Sequence, residues 1–178
     1  MRKLVYRLAT SVAFIGLAAA AYAQAPAAVP EAMPFDIPYG TSIGLEQATK
    51  LIEAAEVEAK KHNWKMDIAV VGPSGDLVAF VRMDGAQFAS IDIAQDKARA
   101  SARFRRPTKV FADAINGNPA AAPPASPSPA TGTLRGVVGS EGGFPLVEGG
   151  KLIGAIGCSG GLAAQDGVTC KAAADLVK

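Results

Sequence analysis

One histidine, His62, and two cysteines, Cys158 and Cys170, are all that this 178-residue chain holds of those two residue types. A structural zinc site takes four Cys or His ligands at motif spacing, so such a site is excluded and metal-hydrolase chemistry has little to stand on. The chain has no GxxxxGKS or GxxxxGKT loop, and no GxGxxG that follows a strand and opens a helix, so nucleotide binding has no support. No apolar run reaches the ~20 residues that a membrane-spanning helix needs, which argues against stable membrane insertion.

What is present begins with an export pattern. Arg2, Lys3 and Arg7 form a basic start, Leu8 to Ala20 is apolar, and Ala21-Tyr22-Ala23 fits small-x-small cleavage. Residues 1–23 therefore read as a signal peptide removed after Ala23, and the mature chain is expected in the periplasm or outside the cell. Removing three of the 18 basic residues leaves 15 against 16 acidic ones. The apparent basicity belongs to the signal, and nucleic acid or an acidic membrane surface is not implied as a partner.

Residues 24–40, rich in Ala and Pro and without helical or strand period, read as a flexible leader. Residues 41–178 form one domain of ordinary size. A low-complexity segment, 118–132, interrupts it; Pro119, Pro123, Pro124, Pro127 and Pro129 exclude helix or central strand, so it reads as a surface loop.

Leu45, Ala48, Ile52, Ala55 and Ala59 recur at spacings of three and four, which predicts an amphipathic helix within 42–62. Residues 66–71 and 77–82 are apolar runs around Gly72-Pro73-Ser74-Gly75-Asp76, a hairpin with a longer loop. Helices follow over 90–105 and from Pro107 to Gly117, the latter by the preference for Pro at the start and Gly past the end. Three strands are expected at 134–138, 144–148 and 151–157, and Gly149-Gly150 signals a two-residue hairpin. A helix over 163–177 closes the chain. The sum is an α+β fold, a five-stranded antiparallel sheet with helices packed on it.

Three segments carry a family pattern: IAVVGPSGDLVAFVRMDGA (68–86), KARASARF (97–104) and the Gly-rich run GSEGGFPLVEGGKLIGAIGCSGGLAAQD (139–166). Together they resemble the GlcG/HbpS-like family of small haem-associated proteins, from about Ile43 to the C-terminus. The resemblance implies a profilin-like sheet, assembly into homo-oligomers, haem as a cofactor, and roles in haem capture, iron sequestration or redox sensing.

Several residues are candidates for the chemistry. Gly157-Cys158-Ser159-Gly160-Gly161 matches GxSxG, but a hydrolase triad of this kind needs a histidine after the serine and His62 lies far upstream. The same turn leaves the last strand tightly, and Ser159, Gly160 and Gly161 place backbone N–H groups at a helix N-terminus, where an anion is favoured. Arg99, Arg103 and Arg106 form a basic stripe, either solvated or a carboxylate fork, opposite the smooth face Ala94, Ala98 and Ala102, with Lys97 on a different face. Arg82-Met83-Asp84 either finishes a strand or rims a pocket in which Met83 reaches a haem iron. His62 is either an axial ligand or the C-terminal cap of a helix.

Cys158 and Cys170 form either a disulfide, worth up to about 3 kcal/mol, or two small packed residues. The resulting expectation is a small-molecule site with Arg99 and Arg103 on acidic groups, Phe80 and Met83 against an apolar face, and His62 as ligand. Two alternatives stand beside it. One is an enzyme acting on a small organic acid or peroxide through Arg82, Asp84, Glu141 or Asp166. The other is a non-catalytic oligomer that modulates a periplasmic or surface protein.

Overall fold

The apolar stripe expected on the first helix folds as α1, Leu45–Lys61, and buries Ala48, Leu51, Ile52, Ala55 and Ala59. The structure is a computed structural model and describes residues 31–122 and 124–178. The expected signal peptide, the leader up to residue 30 and Pro123 lie outside the described residues.

After α1 come β1 (Asp67–Val71), β2 (Leu77–Arg82), α2 (Ser90–Phe104) and α3 (Lys109–Asn116). A short 3-10 turn, Pro129–Thr133, precedes β3 (Gly143–Glu148), β4 (Lys151–Ser159) and α4 (Ala163–Ala174). The strands form one antiparallel sheet in the order β2-β1-β4-β3. Among the described residues no helix is long and apolar enough to cross a membrane.

Alternation along the strands divides the core in two. Ile68, Val70, Ile156 and Cys158 face α1 and α4, whereas Ala69, Val71 and Ala155 face α2. A fully buried Ile or Val contributes roughly 1.5–3 kcal/mol, so the first layer, with the larger side chains, contributes more through apolar burial than the second. The α2 layer is almost entirely alanine, and close approach replaces bulk. A Cβ on Gly157 would lie within 2.5 Å of the Ala98 amide nitrogen and nearer still to the Ala94 carbonyl. Only glycine lets the helix backbone rest on β4 there.

The four-stranded sheet corrects the expected five strands. Residues 134–138 form no strand, because Gly136 takes φ +84° and Leu134 remains exposed, so no alternating face reaches the core. The Gly149-Gly150 hairpin is present, with φ +56° and +76°, both of the sign a type I′ turn requires. The end of the predicted leader is tied down. Pro38 accepts a hydrogen bond from the Leu152 amide, and Gly40 and Ile43 donate to Leu152 and Ile153, each at 2.8 Å. This segment extends along β4 beyond the point where β1 stops, at Val71 opposite Ala155.

Candidate functional site

The last turns of α1 and the end of β2 enclose a cavity of about 310 Å³ lined by Glu56, Lys60, Lys65, Arg82, Met83 and Asp84. Its shape follows from two tight exits. After α1 the chain turns at Asn63, in the left-handed region at φ +55°, and returns as β1. After β2 the Met83 amide donates to the Met66 carbonyl at 2.9 Å, which folds Met83 inward until only 8% of it is exposed. Lys65 Nζ donates to Asn63 Oδ1 at 3.1 Å, and Lys60 stands 3.6 Å from Glu56. Arg82 has no carboxylate within ion-pair distance among the described residues; its guanidinium lies 4.8 Å from the centre of the Phe88 ring. Three cations against two carboxylates, with a thioether in the wall, suit an anionic ligand that has an apolar part.

A second group of cavities flanks α2. One, about 280 Å³, is lined by Asp96, Arg99, Arg103, Gly136, Val137 and Val138; the other, about 320 Å³, by Tyr39, Pro73, Ser74 and Arg103. Arg99 is held by its own helix through Asp96 Oδ1 at 3.2 Å and Gln95 Oε1 at 2.9 Å. Arg106 leaves the predicted stripe, because α2 ends at Phe104 and Arg105 turns left-handed at φ +56°. Its guanidinium stacks over Phe35 instead, 4.3 Å from the ring centre.

The structure therefore divides the expected site. Arg82, Met83 and Asp84 share one cavity, whereas Arg99 and Arg103 line another. Phe80 packs with the α2 layer, on the opposite face of the sheet from Met83, so the two cannot form one apolar wall. His62 caps α1, stacks on Trp64 at 4.3 Å and sits 3.2 Å from Glu58, outside the lining of all three cavities. Lys61 and His62 together hold the Glu58 carboxyl below its ordinary range.

The turn after β4 offers no vacancy to an outside anion. Asp166 Oδ1 accepts the Gly161 amide at 3.0 Å, and the Ser159 hydroxyl is buried against Ser90 Oγ at 3.1 Å. Cys158 and Cys170, both fully buried, are joined by a disulfide that fastens α4 to β4.

Two buried charged groups took roles the sequence reading did not give them. Lys97, 1% exposed, donates to Asp166 Oδ2 at 2.7 Å and to the Cys158 carbonyl at 3.2 Å. Burial lifts the Asp166 carboxyl above its usual range, while Lys97 and the Gly161 and Gly160 amides pull it back. The signal was available, since Lys97 falls on the stripe Ala94, Ala98 and Ser101, which is the face α2 buries. Asp67 opens β1 on the same side as Ala69 and Val71 and is fully buried, and neither carboxyl oxygen has a hydrogen-bond partner. Burial raises its pKa, opposed by the charge of Arg82.

The family described as haem degrading protein HbpS-like matches residues 43–175. Protein GlcG of Escherichia coli strain K12 is 40% identical over 114 residues, which span 64% of this chain and 78% of that protein. A crystal structure of a double mutant of Streptomyces reticuli HbpS superposes with a TM-score of 0.67 at 28% identity, over 86% of this chain and 99% of that one. A crystal structure of a PduOC:heme complex gives 0.66 at 25% identity, over 78% and 96%. With a match that spans the whole of the sheet and all four helices, the chain belongs to the GlcG/HbpS-like family.

Proposed function

We propose that this protein binds haem, with the acidic edge of the tetrapyrrole at the cavity between α1 and β2. The convergence of Lys60, Lys65 and Arg82 on a cavity walled by Met83 supports this most directly. Lys65 and Arg82 would hold the propionate carboxylates, and Met83 would meet the macrocycle edge. The volume of about 310 Å³ lies at the low end of the ~300–1,000 Å³ usual for ligand pockets, so one edge is held and the rest of the ring lies on the surface. Bound haem supplies iron redox chemistry; the chain's part is to hold and orient it. His62, engaged by Glu58 and Trp64 and outside the cavity, is not assigned as the iron ligand.

Export and assembly belong to the same proposal. Residues 1–23 direct the chain out of the cytoplasm, and the mature protein forms a homo-oligomer that takes part in haem capture, iron sequestration or redox sensing. A mature N-terminus at Gln24 and a sedimentation mass above that of one chain are the expected readings.

Haemin titration of the signal-less protein, followed through the Soret band, tests the binding. A saturable, shifted band is expected, with affinity lowered about tenfold or more in Arg82→Ala/Lys65→Ala and unchanged in Arg99→Ala. Featureless absorbance that never saturates, or equal affinity in the folded double variant, would sink the proposal.

A further inference from the structure

Arg103, near the end of α2, is anchored to the β1–β2 loop and to the segment ahead of α1. Its Nε donates to the Ser74 carbonyl at 2.9 Å, and its own carbonyl accepts the Tyr39 hydroxyl at 3.0 Å. The β1–β2 loop makes room for it. Gly75 takes φ +94°, and a Cβ there would lie 2.8 Å from Arg103 Nε, so a side chain at that position would collide with the guanidinium. The side chain is thus fixed at its Nε while Nη1 and Nη2 have no acceptor among the described residues. Arg99, one turn earlier, differs because Asp96 and Gln95 already occupy its guanidinium.

A guanidinium held by Nε presents its two terminal nitrogens as a fork that matches both oxygens of a carboxylate. Beside this fork lies the cavity of about 320 Å³ formed with Tyr39, Pro73 and Ser74. Its ring walls are apolar and its size is that of a small ligand. An inorganic anion would use the fork and leave these walls bare, whereas an acid with a flat apolar body uses both.

We propose that Arg103, Tyr39 and Pro73 form a binding site for a small monocarboxylic acid with an apolar body, separate from the haem cavity at Arg82 and Met83. Arg103 binds the carboxylate, and the Tyr39 and Pro73 rings cover the body of the acid. The Tyr39 side of the site depends on the docking of residues 38–43 along β4, so the segment ahead of α1 is part of the site.

The test uses benzoate as probe, with benzamide as its neutral counterpart, on the signal-less protein by calorimetry and by amide shifts in NMR. Benzoate is expected to saturate and to shift the amides of Tyr39, Ser74 and Gly75 but not those of Arg82 and Met83. Benzamide binding and benzoate binding to Arg103→Gln are each expected to be weaker by about tenfold or more. Haemin at saturation is expected to leave benzoate binding unchanged. Absence of saturable binding, equal binding of benzamide, or shifts centred on Arg82 would overturn the site. Displacement by haemin would also overturn it, by assigning the fork to a propionate. The wild-type shift map decides the matter even if Arg103→Gln fails to fold, and loss of haemin binding alone leaves this site standing.

Discussion

Asp67 and Arg82 are partners in the β1–β2 register, yet they form no ion pair. Arg82 lies over Phe88, and both oxygens of the buried Asp67 carboxyl are left without a donor. A buried acid without partners holds its proton to higher pH than it does in the unfolded chain. The native state therefore loses stability as pH rises from the ordinary carboxylate range through the raised pKa of Asp67, and keeps it below that range. Asp67→Val, an apolar β-branched residue in a strand, is expected to stabilise the protein by about 1–3 kcal/mol near neutral pH. The gain should shrink as pH falls below about 3, where Asp67 is protonated in both states. Denaturant melts at the two pH values measure it, and an equal gain at both would show that the carboxyl is not the cause.

Lys97 and Asp166 bridge α2 and α4 out of contact with water. Removing one partner strands the other, so Lys97→Met is expected to cost about 3–5 kcal/mol. Lys97→Met/Asp166→Leu should recover most of that loss, because two apolar groups replace two satisfied charges. Urea unfolding of the two variants gives the comparison; a double variant no more stable than the single one would mean that packing, not charge, dominates the position.

Gly157→Ala should move α2 away from β4. The added methyl meets helix backbone, which cannot rotate aside as a side chain can, and a cost of about 1–3 kcal/mol is expected. Since Arg99 and Arg103 ride on α2, benzoate binding should weaken in the same variant while haemin binding holds. Thermal melts with both titrations read these effects.

Replacing both Cys158 and Cys170 by Ala is expected to lower stability by about 2–4 kcal/mol, the range for a disulfide that closes a short loop. The sulfurs are fully buried, so mild reductant should act on the native protein only as fast as the α4 region opens. Mass spectrometry of alkylated thiols over time, with and without low denaturant, follows that opening.

Much of the framework was legible because local rules and tertiary packing agree. The 3.6-residue stripe from Leu45 to Ala59, the Gly149-Gly150 turn and the alanine face of α2 each specify their own environment. Residues 134–138 misled because a short apolar run has the strand's composition, and only the left-handed Gly136 shows that it cannot lie flat. The site was legible by residue type but not by grouping. Arg82-Met83-Asp84 and Arg99/Arg103 both look like rims, and nothing in their spacing reveals that the sheet and α2 separate them. Arg103 was singled out for its charge, while the cause of its fixed pose, a glycine in the β1–β2 loop, lies in a contact between distant parts of the chain.

The strand order β2-β1-β4-β3 has a kinetic meaning. Each outer pair is a local hairpin, joined by a short turn, and can form within its own stretch of chain. The central β1–β4 pair brings Asp67 to Ser159 and must close everything between them, so its formation is expected to be the slow, entropy-limited step. Closure entropy grows only with the logarithm of loop length, and the proline-bearing 118–132 segment sits inside that loop. Its length is therefore nearly neutral for the folding rate, and evolution can lengthen or trim it without touching the order in which the sheet assembles.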